Sequence, residues 1–218
     1  MGYKAGITLK GAYTNPTEVY DLISRNVVPS GMKTVIPRQI HGAEIAIIES
    51  HNSDFSGEAD GAVTSLDDVC LTVTTADCLP IIFADPASGL ISAVHVGWRS
   101  FVGGILERYF ELSTQLGADI NSTRVVIGPG IGSCCFEVGP DVAVLFDEQY
   151  IERRENRCFI DLWKAAGNKI ESLGVVKANM SGISECTYCH AEKYYSYRRD
   201  KHTQVQMVTF IYKTAKKK

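Results

Sequence analysis

Between Lys33 and His95 the chain carries six short runs that are apolar or β-branched: Lys33–Pro37, Glu44–Glu49, Gly61–Thr64, Val69–Thr75, Ile81–Ala84 and Ile91–His95. Gly, Asp, Ser or Pro separates each run from the next, and Ala84–Gly89 (ADPASG) is a strong turn. These are strand signals, and they are bunched rather than alternating with helices. Helical periodicity comes later. In Gly103–Leu116 the residues Ile105, Leu106, Tyr109, Phe110, Leu112 and Leu116 share one face, and Gly117 is a natural stop. A second helix is expected from Pro140, with Asp141 complementing its dipole, and a third over Leu162–Leu173 between Asp161 and Gly174. Arg124–Ile127, Val175–Ala178 and Gln204–Tyr212 read as further strands, and Asn15–Val27 as a short amphipathic helix. The expectation is a mixed α/β sheet structure in a single domain, residues 1–218, and not a Rossmann fold.

Composition narrows the function classes. A net charge of −3 and a pI near 6.0 give no reason to expect nucleic acid as a partner. The C-terminal TAKKK reads as a solvated tail. No apolar run approaches the roughly 18 residues that span a bilayer, so no membrane partner is expected. The N-terminus lacks an export h-region, and Gly6 breaks the myristoylation pattern. Seven cysteines without an export signal point to a cytoplasmic protein with reduced thiols. Cys70 and Cys158 are expected as small core residues.

Two of the strand runs end in reactive side chains. Cys78 lies in TTADCLP and His95 in VHVGWRS, and His41, in RQIHGAE, sits at a third strand–loop junction. A thiolate and two imidazoles with a fourth position open would make a catalytic zinc site. Such donors select Zn or Cu over Mg or Ca. A core cysteine and two surface histidines is the alternative. Asp77 beside Cys78, and Trp98–Arg99 beyond His95, argue against it, because such a group makes a poor hydrophobic core.

Two further segments are candidates. Gly128–Val142 carries Gly128, Gly130 and Gly132 ahead of a helix start, a pattern that suits an anion such as phosphate. A tight structural turn is the alternative, and no Walker motif follows. Glu137 is a possible acid there, and Cys134–Cys135 is either a vicinal redox pair or two ordinary thiols. The second segment, Cys186–Asp200, holds a CxxC followed by His190. One CxxC is weak evidence for structural zinc, and haem attachment would need export. Arg198 and Arg199 suit a phosphate or a stacked base, or form a solvated basic turn. His51 and His202 read as surface residues.

The segments QIHG, ADGAVT, TADCLPIIFAD, VHVGWR, IGPGIGSCCFEVG and CTYC…YYSYRRD occur in order from Arg38 to Tyr212. Together they resemble the laccase-domain proteins, also called polyphenol oxidases and described as zinc-dependent purine nucleoside phosphorylases with adenosine deaminase activity. The resemblance implies His41, Cys78 and His95 as metal ligands. It also implies an α/β/β/α sandwich similar to a bacterial toxin deamidase that uses a Cys–His pair. Ser100 stands where the family usually has Gly, Gln204–Val205 where it has Gly-Arg, and the N-terminal region is abbreviated.

On this reading the small-molecule partners are phosphate and a nucleoside such as adenosine, inosine or methylthioadenosine. Arg99, the Gly128–Gly132 turn and Arg198 or Arg199 hold the phosphate, and Asp77 or Glu137 moves the proton. A metal polarises phosphate, or a water that deaminates adenosine. Three alternatives stand beside it. Copper-dependent oxidation of phenols would need about ten histidines for a multicopper centre, and the chain has five. A cysteine hydrolase would use Cys78 as nucleophile and His95 as base. The last is a binding module without catalysis.

Overall fold

The computed structural model describes residues 2–11, 28–50, 57–201 and 205–214. The helix expected over Asn15–Val27, together with His51 and His202, lies outside the described residues. The described strands, in chain order, are β1 (Gly2–Ile7), β2 (Lys33–Val35), β3 (Ile45–Ile48), β4 (Gly61–Thr64), β5 (Val69–Thr75), β6 (Leu79–Ala84), β7 (Ile91–Val96), β8 (Arg124–Ile127), β9 (Glu137–Val138), β10 (Ile151–Arg154), β11 (Arg157–Ile160), β12 (Met180–Gly182) and β13 (Met207–Thr214). The described helices are α1 (Trp98–Val102), α2 (Ile105–Gln115), α3 (Pro140–Ala143) and α4 (Leu162–Ser172). The expected mixed α/β class is what the chain forms.

One sheet runs in the order β12-β8-β6-β7-β4-β3 and a second in the order β1-β13-β5-β2, with a small third sheet β10-β11-β9. Parallel pairs (β3–β4, β2–β5, β8–β12) mix with antiparallel ones. The central strands β6 and β7 are buried along their whole length, and their side chains split by parity. Leu79, Ile81, Phe83, Val94 and Val96 face a core shared with α2 and α4. Ile82, Ala84, Ile91 and Ala93 face Val69, Leu71 and Val73 of β5 in the second sheet. This gives a helix layer, a six-stranded sheet and a four-stranded sheet. The outer face of the second sheet packs Cys70, Val208, Phe210 and Tyr212 against Tyr194 and Tyr195.

The helix layer is held by apolar surface. Phe83 is fully buried and stacks on Tyr109 of α2 with ring centroids 4.0 Å apart. Truncating such a residue to Ala typically costs about 3–5 kcal/mol.

Two local expectations are corrected, for Val175–Ala178 and for Cys158, and a third, the helix from Pro140, is met over a single turn. Val175–Ala178 is not a strand: Val175 is buried but Val176 is exposed, a 3-10 turn follows at Lys177–Asn179, and pairing with β8 begins only at Met180. The helix beginning at Pro140 ends after one turn, and the chain then bends so that Phe146 stacks on Phe101. Cys158 is only partly buried and accepts a hydrogen bond from Arg153 at 3.2 Å, whereas Cys70 is fully buried as expected. The hairpin β10–β11 gives little sequence signal, because half of IERRENRCFI is charged; it turns through Glu155 at φ 53°. Among the described residues, no helix is long and apolar enough to cross a membrane.

Candidate active site

Antiparallel pairing of β6 with β7 sets Pro80 opposite His95 and Leu79 opposite Val96. Cys78, one residue before β6, therefore arrives beside the end of β7 that carries His95. His95 shares its parity with Ile91 and Ala93, so it points between the sheets, where it is almost wholly buried. His41 comes from the loop before β3, held in the left-handed region at φ 60°. The Nδ1 or Nε2 atoms of the two imidazoles and the Cys78 Sγ all lie within 4.8 Å of one another. His41 Nε2 is 3.8 Å from Cys78 Sγ, and the two rings meet edge to face.

The residue that organises this trio is Asp60, which the sequence analysis carries only within the segment ADGAVT and gives no role. Its buried carboxylate accepts the backbone N–H groups of Ile40 (3.2 Å), His41 (2.9 Å) and Gly42 (2.6 Å), and lies 2.7 Å from His95 Nδ1. One side chain thus fixes both the His41 loop and the His95 ring. Gln39 adds a second clamp: its side-chain amide exchanges hydrogen bonds with the backbone of Thr74, at 2.7 and 2.8 Å. Gly97 leaves room for the trio. A Cβ there would sit 3.0 Å from Cys78 Sγ and 3.1 Å from His41 Cδ2.

Electrostatics follow from this packing. Burial pushes the Cys78 thiol up, but the charge on His95 and the hydrogen bond with His41 outweigh it and bring the thiol down to about 6. Burial pulls His95 down, but the Cys78 thiolate and Asp60 outweigh that and raise it to about 9. Burial likewise opposes ionisation of Asp60, yet its bonds to His95 and to Gly42 hold it below its ordinary value. Without a metal, each of Cys78 and His95 favours the charged form of the other.

The donor set fits a soft divalent metal. In a tetrahedral zinc site with ordinary bond lengths, a sulfur and a nitrogen ligand stand about 3.6 Å apart, close to the observed Cys78–His41 separation. Asp60 on Nδ1 leaves the Nε2 of His95 to the metal, the carboxylate–histidine arrangement common around such ions.

The trio opens into a cleft of about 720 Å³ whose lining includes Asp77, Trp98, Arg99, Phe136, Tyr197 and Arg198. Arg99 lies over the Trp98 ring at 4.5 Å, and its guanidinium has no hydrogen-bond partner among the described residues. Arg198 donates from its side chain to the Glu137 carbonyl at 3.0 Å. Asp77, at φ 99°, accepts from the Thr187 hydroxyl (2.7 Å) and the Arg198 N–H (2.8 Å), so both its oxygens are engaged.

Other candidates are placed elsewhere. Arg199 spends its guanidinium on the carbonyls of Thr187, Tyr188 and Tyr194 and on Asp200, so it ties the segment together and does not face the cleft. The Glu137 side chain pairs with Arg157 and is not part of the cleft lining. The glycine turn is a packing device rather than an anion cradle. The N–H of Gly128 bonds to Pro80 and that of Gly132 to Cys186 Sγ, and a Cβ on Gly130 would lie 2.5 Å from Leu79. The same turn carries Cys134 and Cys135 to the CxxC of Cys186 and Cys189. That CxxC therefore does have a second pair, which sequence distance concealed.

The model of a family described as multi-copper polyphenol oxidoreductase laccase matches residues 15–214. A purine nucleoside phosphorylase from Deinococcus radiodurans is 37% identical over 167 residues, 74% of this chain and 63% of that protein; the chain thus spans less than two thirds of that relative. A protein named adenosine deaminase RL5, from an unknown prokaryotic organism, is 30% identical over 76% of this chain and 69% of its own length. Among solved structures, YlmD from Geobacillus stearothermophilus superposes with a TM-score of 0.85 at 27% identity, covering 98% of this chain and 93% of that one.

Proposed function

We propose for this chain, which belongs to the family described as multi-copper polyphenol oxidoreductase laccase, the phosphorolysis of purine nucleosides, with deamination of adenosine as a second activity of the same cleft. The observation that carries this reading is the meeting of His41, Cys78 and His95 beneath a cleft that offers Arg99 and Arg198 beside an aromatic wall. The names of the Deinococcus radiodurans and RL5 relatives support it.

The division of labour follows from where the groups lie. Trp98, Phe136 and Tyr197 present apolar surface to a flat purine. Arg99 and Arg198 supply charge and forked donors for phosphate. In phosphorolysis a phosphate oxygen bonds to C1′ as the bond from C1′ to the purine N9 breaks, and the base leaves with a proton. In deamination, water adds at C6 of adenine and ammonia leaves. Asp77 is the carboxylate of the cleft lining, so proton movement is assigned to it and not to Glu137. His41, Cys78 and His95 would hold a zinc ion, which supplies Lewis-acid polarisation of phosphate or water. We assign the reaction to the cytoplasm, a reducing compartment that suits a chain with seven cysteines.

The donor set favours this over oxidation of phenols. Multicopper chemistry is built from many imidazoles, about ten, and the site brings together two with one thiolate. One observation favours a second reading, cysteine hydrolysis: Cys78 Sγ lies 3.8 Å from His41 Nε2 and within 4.8 Å of His95, neighbours that lower its thiol. A single experiment separates the three. The protein is incubated with adenosine, inosine and methylthioadenosine with and without phosphate, beside a phenol, and its metals are measured. Phosphate-dependent release of the base together with bound zinc supports the proposal. Oxidised phenol with bound copper, or turnover by metal-free protein that stops on alkylation of Cys78, overturns it.

A further inference from the structure

The structure holds a second group of soft donors that the reaction above does not use. Cys134 and Cys135 lie in the turn after β8, and Cys186 and Cys189 lie more than 50 positions later. Their four sulfurs all fall within 4.8 Å of one another. Cys135 Sγ is 3.4 Å, and Cys134 Sγ 3.6 Å, from Cys189 Sγ. We propose that Cys134, Cys135, Cys186 and Cys189 form a tetrathiolate site for one structural zinc ion, distinct from the His41–Cys78–His95 trio.

Three features of the geometry carry this. The first is spacing. Four thiolates around zinc at bonds of about 2.3 Å sit at the corners of a tetrahedron with edges of about 3.8 Å; the Cys134 and Cys135 sulfurs stand 3.6 and 3.4 Å from that of Cys189, and all four lie within 4.8 Å of one another. A disulfide needs about 2.05 Å, and all seven cysteines are unbridged. The second is that the backbone is shaped around sulfur. The Gly132 N–H donates to Cys186 Sγ at 3.2 Å, a bond that favours the ionised thiolate a metal requires. A Cβ at Gly132 would lie 3.3 Å from both Cys134 Sγ and Cys186 Cβ, so the absence of a side chain there lets the two segments close. The third is charge. Arg154, whose guanidinium also pairs with Glu152 at 2.6 Å, donates to the carbonyls of Ser133 and Cys134, placing an ion-paired cation beside a group that carries excess negative charge when a divalent ion is bound by four thiolates.

The closure has a consequence for the cleft. Gly130 bridges to Cys186, and Thr187 N–H bonds to the Gly130 carbonyl at 3.0 Å. The Thr187 hydroxyl in turn donates to Asp77, the neighbour of Cys78, while Ile131 and Phe136 from the same turn line the cleft. The ion would clamp the cleft wall that these two distant segments build. Four thiolates select zinc over hard cations, and binding releases whatever thiol protons remain.

The test uses the full chain purified under reducing conditions, with zinc measured by elemental analysis. Cys78→Ala disables the trio and isolates the second site. That variant is expected to retain one zinc per chain. Replacing its zinc with cobalt should give intense thiolate-to-cobalt charge-transfer absorption. Adding Cys134→Ser or Cys189→Ser should remove that ion and absorption and lower Tm by about 5 °C or more. Should the serine variants fail to fold, the cobalt spectrum of folded Cys78→Ala decides alone. A Cys78→Ala protein whose four thiols titrate as reduced but bind neither zinc nor cobalt overturns the proposal, as does a mass lowered by disulfides among them. If wild type and Cys78→Ala hold the same single zinc, the tetrathiolate site stands and the metal reading of the trio fails.

Discussion

Asp60 Oδ1 lies 2.7 Å from His95 Nδ1 and accepts the His41 backbone N–H at 2.9 Å, so a single buried carboxylate oxygen holds both the ring of one histidine and the backbone of the other. Neither histidine is a neighbour of Asp60 in sequence. The carboxylate is compensated by these partners and by Ile40 and Gly42, which is how a buried charge becomes tolerable.

Replacing Asp60 by Asn leaves shape but removes charge and acceptor capacity. The expected result is a loss of metal affinity at the trio of about 10–100-fold. Stability should also fall, by about 3–5 kcal/mol, as for other broken buried pairs. Zinc titration and denaturant unfolding of the same variant read the two effects; an unchanged affinity would contradict the role given to Asp60.

In metal-free protein the Cys78 thiol is ionised above about 6. Alkylation of Cys78 by iodoacetamide, followed peptide by peptide, should rise with a midpoint near 6 instead of the roughly 8.5 of a free cysteine. Zinc should suppress it. A midpoint above 8 would mean that the imidazoles do not stabilise the thiolate.

The arginines separate by what they touch. Arg99→Ala should raise the KM for phosphate about tenfold or more while Tm stays within about 1 °C, because among the described residues its guanidinium makes only a stacking contact with Trp98. Arg199→Ala should instead lower stability by about 2–4 kcal/mol, since three carbonyls and Asp200 lose their donor. Thermal melts and phosphate saturation curves distinguish them.

Acid stability is expected to depend on Asp85, at the end of β6. Burial pushes its carboxyl up, but the hydroxyls of Ser122 and Ser88 and the backbone N–H groups of Asp119 and Ser88 outweigh that and hold it near 2. Because this is below the unfolded value of about 3.9, its contribution is present above pH 4 and is lost as pH falls toward 2. Asp85→Asn should lower stability near neutral pH by about 1.5–3 kcal/mol and flatten the decline between pH 4 and 2. Urea midpoints measured across that range check the sign.

Much of the architecture was readable in advance, because short-range chemistry writes it. The runs that became β3 to β7 announce themselves by β-branched residues between turn formers, and α2 and α4 by apolar residues at helical spacing and flanking glycines. The hairpin β10–β11 escaped because its strands are charged and only partly buried. Asp60 escaped because an Asp beside Gly carries no local sign of a role, and its partners His41 and His95 lie 19 and 35 positions away. Arg199 and Glu137 carry the residue types of a functional site, and what removed them from it was the direction their side chains take.

Local residue pattern therefore specified most of the strands, the helices α2 and α4, and the three side chains His41, Cys78 and His95 as candidates for one site. Long-range pairing added their common focus, the carboxylate behind them, and the meeting of Cys134–Cys135 with Cys186–Cys189. The division has a physical origin. Period and turn preference act over a few residues, whereas a donor set depends on strand register and on buried charges that find partners only once the sheets are stacked.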